Sequence, residues 1–201
     1  MVDFTIQAND YLEKNIRGFY HTEYVGHQKP GNPDYINRLK NTYNTFPPSI
    51  LNIAVQELNN VLMEDLPQIL RVLQLNSLTV CVVPRAKTSY KPNQLLFKST
   101  IRKVVNQLNH FIDGTDYITR HSNTRTTHLP PNTPNYNNDG EKPYRGITKD
   151  TCNISNKVNG KDILLIDDLY TKTVNIDEDA IQALLTCGAN SVSFYSIGCR
   201  M

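Results

Sequence analysis

The chain has 201 residues, of which 39% are hydrophobic and 20% are charged, and its formal net charge at pH 7 is +2. This composition predicts one globular domain, or one core with an appended helical piece. The net charge is too small to indicate nucleic acid binding by itself, so a nucleic acid partner is possible but not indicated. The sequence has neither an apolar run of membrane-spanning length nor a signal peptide, so we expect a cytoplasmic protein without a membrane partner.

The cysteines and histidines do not follow the spacing of a metal-binding motif. None of the cysteines forms a C-x-x-C pair, and buried thiols are expected rather than disulfides or a zinc site. The histidines show no H-E-x-x-H spacing. We therefore expect no dedicated protein metal site. The residues concerned are Cys81, Cys152, Cys187, Cys199, His21, His27, His110, His121 and His128.

Residues 1–76 predict an N-terminal accessory region of helices and loops. Residues 10–16 are compatible with a short helix, and residues 17–46 are rich in Asn, Tyr, Gly and Pro, which is typical of loops, with a turn of helix near 34–39. Residues 49–75 have apolar side chains at helical spacing, interrupted at Pro67. One kinked helix or two consecutive helices would form a helical cap.

Residues 77–201 alternate between strand and helix patterns, which predicts an α/β fold with a parallel sheet flanked by helices. Residues 121–150 lack periodicity and contain four prolines, and a loop of this length is expected to be a mobile lid. The predicted strands are 78–83, 116–120, 163–167 and 191–197, and the predicted helices run from 93 to 112 and from 176 to 187.

An acid pair follows the most apolar of these strands. Ile163-Leu-Leu-Ile166 leads directly into Asp167 and Asp168, and a hydroxyl-rich turn leads from there to the next helix. Ligands of open α/β sheets bind at the carboxyl ends of the strands, and a helix N-terminus favours phosphate. The segment therefore predicts a ligand that carries both hydroxyl groups and phosphate.

The segment ILLIDDLYTKTVN at 163–175 resembles the PRPP-binding motif of type I phosphoribosyltransferases. Three further segments resemble the ComF-like, amidophosphoribosyltransferase-like branch of that family: VVPRAK at 82–87, PNQLL at 92–96 and TRHSNTRTTHL at 119–129. The resemblance covers about residues 78–199, and residues 1–76 lack the cysteine-rich zinc module of many ComF-like proteins. It implies a type I phosphoribosyltransferase-like core at 77–201.

The resemblance also implies a role for each motif. The catalytic acids would bind the ribose 2- and 3-hydroxyls, the turn would hold the 5-phosphate, the loop after the first core strand would bind pyrophosphate, and lid arginines would close over it. In that order the residues are Asp167 and Asp168; Thr171, Lys172, Thr173, Val174 and Asn175; Arg85, Ala86 and Lys87; and Arg120, Arg125 and Arg145.

The implied activity is transfer of phosphoribosyl from Mg²⁺-bound PRPP to a nitrogen nucleophile, either a nucleobase or an amine, with release of pyrophosphate. The family also implies a homodimer. Thr173 and Asn175 depart from the usual motif, which has Gly and then Thr or Ser. The alternative is therefore a non-catalytic PRPP or nucleotide sensor, or a ComF-like accessory protein, acting through a DNA or protein partner.

Two residues near the turn have a second interpretation. Asn175 could be the N-cap of the following helix, with Glu178 completing a capping box. In that case the Asn175 side chain would point away from the ligand. Glu178 and Asp179 would otherwise be first-turn acids that complement the helix dipole.

Overall fold

The computed structural model describes residues 1–127, 129 and 132–200, so His128, Pro130 and Pro131 of the predicted lid lie outside the described residues. The described chain forms an α/β fold. Its strands are β1 (Val2–Ile6), β2 (Ile16–Glu23), β3 (Leu78–Val82), β4 (Phe111–Asp113), β5 (Ile118–Arg120), β6 (Cys152–Ile154), β7 (Asp162–Thr171) and β8 (Ser191–Arg200). Its α-helices are α1 (Tyr35–Lys40), α2 (Pro48–Leu73), α3 (Leu96–Val105) and α4 (Ile176–Thr186).

The main sheet has six strands in the order β1-β2-β8-β7-β3-β4. All neighbouring pairs are parallel except β1 and β2, which are antiparallel. The strands β5 and β6 form a separate antiparallel pair. The predicted sheet flanked by helices is therefore confirmed at the level of a mostly parallel α/β architecture.

The apolar run of β7 is buried on both faces of the sheet. Ile163 and Leu165 contact the layer that contains α4, whereas Leu164 and Ile166 contact the layer that contains α1, α2 and α3. All four side chains are fully buried. A parallel strand covered on both faces is expected to have a continuous apolar sequence rather than an alternating one.

The N-terminal residues differ from the prediction. The short helix expected over 10–16 does not form, and β1 and β2 join the main sheet instead, with Gly18 of β2 paired to Phe194 of β8. Gly18 and exposed Arg17 interrupt the apolar pattern of β2, which explains why the strand is hard to detect. The predicted turn of helix near 34–39 is confirmed as α1.

Of the two alternatives for residues 49–75, the single helix is confirmed: α2 spans Pro48–Leu73 and contains Pro67. Another helix is shorter than predicted. The helix expected to reach residue 112 ends at Val105. Farther along the chain, His110 adopts a left-handed backbone with φ of 70°, and its carbonyl oxygen accepts from the Leu78 N–H. Phe111 and Ile112 then pair with β3 as part of β4.

The remaining core predictions hold at the level of the element. The strands expected at 78–83, 163–167 and 191–197 form as β3, which ends at Val82, and as parts of β7 and β8, and α4 is followed by Gly188 with φ of 89°. The strand expected at 116–120 exists as β5, but it lies outside the main sheet. Within the described residues, none of the helices has the length and apolar character needed to cross a bilayer.

Candidate functional site

The order of the strands identifies where a ligand site is expected. β3 connects to β4 through α3 on one face of the sheet, and β7 connects to β8 through α4 on the opposite face. The chain therefore leaves two adjacent strands, β3 and β7, in opposite directions. This arrangement opens a crevice at their carboxyl ends, which is the usual binding position in open α/β sheets.

Two adjoining cavities occupy this crevice. They have volumes of about 360 Å³ and about 110 Å³, and both are lined by Lys40, Arg85, Arg120, Asp167 and Asp168. The structure therefore brings together residues predicted from three separate segments of the sequence. It also adds Lys40, which the sequence interpretation had not selected.

Lys40 forms an ion pair with the acid pair. Its Nζ lies 2.9 Å from Asp168 Oδ1. The side chains retain only 24% and 15% exposure, respectively, so solvent screens this pair less than a surface pair. Burial alone would lower the pKa of Lys40, but the charges of Asp168 and Asp167 outweigh it, and the net pKa is raised. Lys40 is therefore charged at neutral pH.

Asp167 lies in a different environment from Asp168. Its Oδ1 accepts the Asp168 backbone N–H at 2.8 Å, and its carboxyl group lies close to the buried carboxyl group of Asp177 in α4. Burial, and then the charge of Asp168, raise the pKa of Asp167 to about 7. Burial, and then the proximity of Asp167, raise the pKa of Asp177 well above its ordinary value.

The pKa of Asp177 stays raised although the residue lies in the first turn of α4, where the helix dipole favours a carboxylate. A helix N-terminus typically stabilises a carboxylate by roughly 0.3–1 kcal/mol. Removing an unpaired carboxylate from water costs several kcal/mol. Because Asp177 is only 1% exposed, the cost of burial dominates.

Two arginines fix the loop after β3. The guanidinium group of Arg85 donates to Gln94 O and stacks on the Tyr90 ring, with its central carbon 4.1 Å from the ring centroid. Arg120 donates from Nε to Arg85 O at 2.7 Å and from Nη1 to Gly146 O at 3.0 Å. Arg120 thus links the loop to the carboxyl-terminal part of the predicted lid.

Lys87 and Arg125 lie where the lid meets this loop. Lys87 Nζ is 2.7 Å from Asp139 Oδ1. The backbone N–H of Thr124 donates to Ala86 O at 2.8 Å, so the strand-end loop and the lid are joined through the main chain as well. Arg125 lines the smaller cavity, and its buried Nε has no hydrogen-bond partner among the described residues.

The predicted 5-phosphate turn is beside the cavities rather than in their walls. Residues 171–175 line neither cavity. The N–H of Lys172 donates to Arg200 O at 3.2 Å, and the N–H of Val174 donates to Thr171 O at 2.8 Å. Thr173 does not adopt a positive φ. In this arrangement two of the expected phosphate donors are already used by the protein.

Arg145 is not brought to the acid pair. It donates to Asp10 O at 2.5 Å and lies over the Tyr11 ring, at 5.7 Å from the centroid. These groups line a separate cavity of about 670 Å³. The structure therefore groups Arg120 and Arg125 with the acids and places the third predicted lid arginine elsewhere.

Asn175 and Glu178 do not form the capping box that the sequence allows at the start of α4. Asn175 occupies the N-cap position but makes no side-chain cap, and its Oδ1 accepts instead from Asn9 Nδ2 at 3.2 Å. Glu178 is buried and accepts from the Tyr170 hydroxyl at 3.0 Å. The Oδ2 of Asp179 accepts the N–H groups of Gly146 and Ile147 at 2.6 and 2.9 Å, so these acids hold neighbouring segments rather than face solvent.

The lid is expected to exchange its amide hydrogens unevenly. The N–H groups of Gly146 and Ile147 make buried hydrogen bonds to Asp179, whereas residues 132–139 lie mostly at the surface. Without ligand we expect fast exchange over 132–139 and slow exchange at the two anchored amides, as measured by hydrogen–deuterium exchange with mass spectrometry. Equal, strong protection of both segments would contradict a mobile lid.

Neither protein-family models nor curated protein sequences give a match to this chain. Its site is therefore interpreted from its own residues. Within residues 1–127, 129 and 132–200, no three or more His, Cys, Asp or Glu side chains are arranged around a common metal position.

Proposed function

We propose that the protein binds Mg²⁺-PRPP in the crevice between β3 and β7 and transfers its phosphoribosyl group to a nitrogen nucleophile, with release of pyrophosphate. The observation that carries this proposal is that Asp167 and Asp168 line the same two cavities as Arg85 and Arg120. Acids and fixed cations at one strand end suit a ligand that has hydroxyl groups at one end and phosphates at the other.

The acid pair supports the sugar end of this ligand. A carboxylate accepts hydrogen bonds from two neighbouring hydroxyl groups well, and such charge-assisted bonds are strong. The same negative charge would stabilise positive charge that develops at the anomeric carbon when the bond to pyrophosphate breaks. Lys40 partly neutralises Asp168 in the ligand-free protein, and ligand hydroxyls would have to share or replace that contact.

The cationic side of the crevice supports the pyrophosphate end. Arg85, Lys87 and Arg120 line the larger cavity, and Arg125 lines the smaller one. Bound Mg²⁺ supplies further charge neutralisation for the leaving pyrophosphate. Closure of the segment that carries Arg125 over this side would exclude water and limit hydrolysis of PRPP.

A second candidate function is favoured by two particular observations. The Lys40 ion pair already occupies Asp168, and the turn at 171–175 uses the N–H groups of Lys172 and Val174 within the protein. Both features are compatible with a sensor that binds PRPP or a nucleotide without chemistry and acts through a DNA or protein partner. A homodimer remains a prediction for either function.

Turnover separates the two candidates. The purified protein is incubated with PRPP and Mg²⁺ and with each of a panel of nucleobases and ammonia, and pyrophosphate release is measured. We expect release that depends on one of these acceptors and that is lost in the Asp167→Asn, Asp168→Asn double variant. Binding of Mg²⁺-PRPP by calorimetry without release for any acceptor would favour the sensor. Absence of binding would reject the transferase and a sensor of PRPP, and would leave only a nucleotide as the sensor's ligand.

A further inference from the structure

Asp177 is a buried acid beside the site that no sequence pattern had selected. It is the second residue of α4 and is 1% exposed. Its Oδ1 is buried and has no hydrogen-bond partner among the described residues. Its carboxyl group lies close to that of Asp167, which lines both cavities.

A hydrogen bond between two carboxyl groups requires a proton on one of them. Asp167 receives the Asp168 N–H at 2.8 Å and lies near the ammonium group of Lys40. Asp177 receives no such donor at its buried Oδ1. Since a carboxylate is stabilised by donors and nearby cations, the negative charge belongs on Asp167 and the proton on Asp177.

The groups packed around the pair do not change this assignment. Glu178, the acid next to Asp177, is itself buried and accepts from the Tyr170 hydroxyl. It therefore brings no cation that would stabilise a negative charge on Asp177. Asp168 is engaged by Lys40. The titratable groups that face the pair are Lys40 from α1, Asp168 and Tyr170 from β7, Glu178 from α4 and Cys199 from β8.

We propose that Asp177 is a positioning residue that, as a neutral acid, donates a hydrogen bond to Asp167 and holds that carboxylate toward the cavity as an acceptor. The contacts of Asp167 and Asp177 locate the proton on Asp177. The effect of Asp177 on a sugar ligand rests on the proposed function, because Asp167 is the group expected to accept the ribose hydroxyls.

This arrangement gives ligand binding a defined pH dependence. The pKa of Asp167 is raised to about 7 by burial and by Asp168, so a growing fraction of Asp167 is neutral as the pH falls below that value. A neutral acid accepts hydroxyl hydrogen bonds less well than a carboxylate. Affinity for Mg²⁺-PRPP is therefore expected to rise with pH through about 7 and to level off above it.

Two substitutions of Asp177 test the proposal. Asp177→Asn keeps a hydrogen-bond donor of the same shape, whereas Asp177→Val removes it. The midpoint of Asp167 ionisation is measured by carbon-13 NMR of the side-chain carboxyls in the ligand-free protein, and Mg²⁺-PRPP affinity is measured by calorimetry across the same pH range. The asparagine variant is expected to keep both the midpoint and the binding profile close to those of the wild type.

The valine variant is expected to shift the midpoint upward by about one pH unit, because the hydrogen bond that favours ionised Asp167 is lost. At pH 7 this shift lowers the ionised fraction of Asp167 from about one half to about one tenth, and so weakens binding by about fivefold. If Asp177 were ionised, Asp177→Asn would remove a neighbouring negative charge and lower the midpoint instead. That result, or an unchanged midpoint in the valine variant, would overturn the proposal.

The two readouts keep the proposals distinguishable. Absence of Mg²⁺-PRPP binding by the wild type would reject the proposed function, while the NMR titration would still decide where the proton lies. If the valine variant does not fold, the asparagine variant alone decides, because a neutral and an ionised Asp177 predict different midpoints for Asp167.

Discussion

Replacement of both Asp167 and Asp168 by asparagine is expected to weaken Mg²⁺-PRPP binding by at least about 100-fold. Each hydrogen bond between a hydroxyl and a carboxylate contributes roughly 1.5–3 kcal/mol, and loss of two such bonds corresponds to this factor or more. The side chains keep their shape, so the fold should be retained. Calorimetry measures the affinity, and circular dichroism monitors the fold.

Asp162→Asn is the matched control for this double variant. Asp162 lies at the opposite end of the same strand, where its Oδ1 accepts from Asn190 and Ser191, and it does not line either cavity. We expect its affinity for Mg²⁺-PRPP to equal that of the wild type. Unchanged affinity in the double variant would show that the ligand, if it binds, binds elsewhere.

Asp65→Ala is expected to cost about 1–3 kcal/mol of unfolding free energy. Asp65 of α2 is 1% exposed, and its Oδ2 accepts from the Tyr195 hydroxyl at 2.7 Å and from His21 Nδ1 at 2.9 Å. It therefore ties α2 to β8 and β2. Removal leaves the buried Tyr195 hydroxyl without its acceptor, and denaturant unfolding measures the loss.

The contribution of Asp65 should depend on pH in a defined direction. Burial alone would raise the pKa of Asp65, but the hydrogen bonds from His21 and Tyr195 outweigh it, and the net pKa is lowered. The stabilisation is then complete above the unfolded-state pKa of about 3.9, and it is lost as the pH falls through the folded-state value. The difference between wild type and Asp65→Ala should shrink on acidification, and a difference that grows would contradict the role of this carboxylate.

The sequence was sufficient to predict those residues of the site that follow a strongly patterned strand. An apolar strand buried on both faces has a continuous run of aliphatic residues, and Asp167 and Asp168 stand directly after it. The loop that contains Arg85 follows β3 in the same way. These segments meet because parallel strands bring their carboxyl ends to one edge of the sheet.

Lys40 and Asp177 could not be found by the same reasoning. Lys40 is the last residue of a six-residue helix in a segment rich in turn-forming residues, and only the tertiary fold brings it to Asp168. Asp177 has the position of an ordinary first-turn acid. Its burial against Asp167 depends on how α4 packs on the sheet, which local sequence does not specify.

The pairing of β2 with β8 has a consequence for the order in which the protein folds. Gly18 pairs with Phe194. The strand β2, near the start of the chain, therefore gains its parallel neighbour only when β8, near the end of the chain, is in place. Contacts between such distant segments form slowly because a long loop must close first. A folding intermediate that contained β3, β7 and α4 but not α1 would have the acid pair without the Lys40 cation.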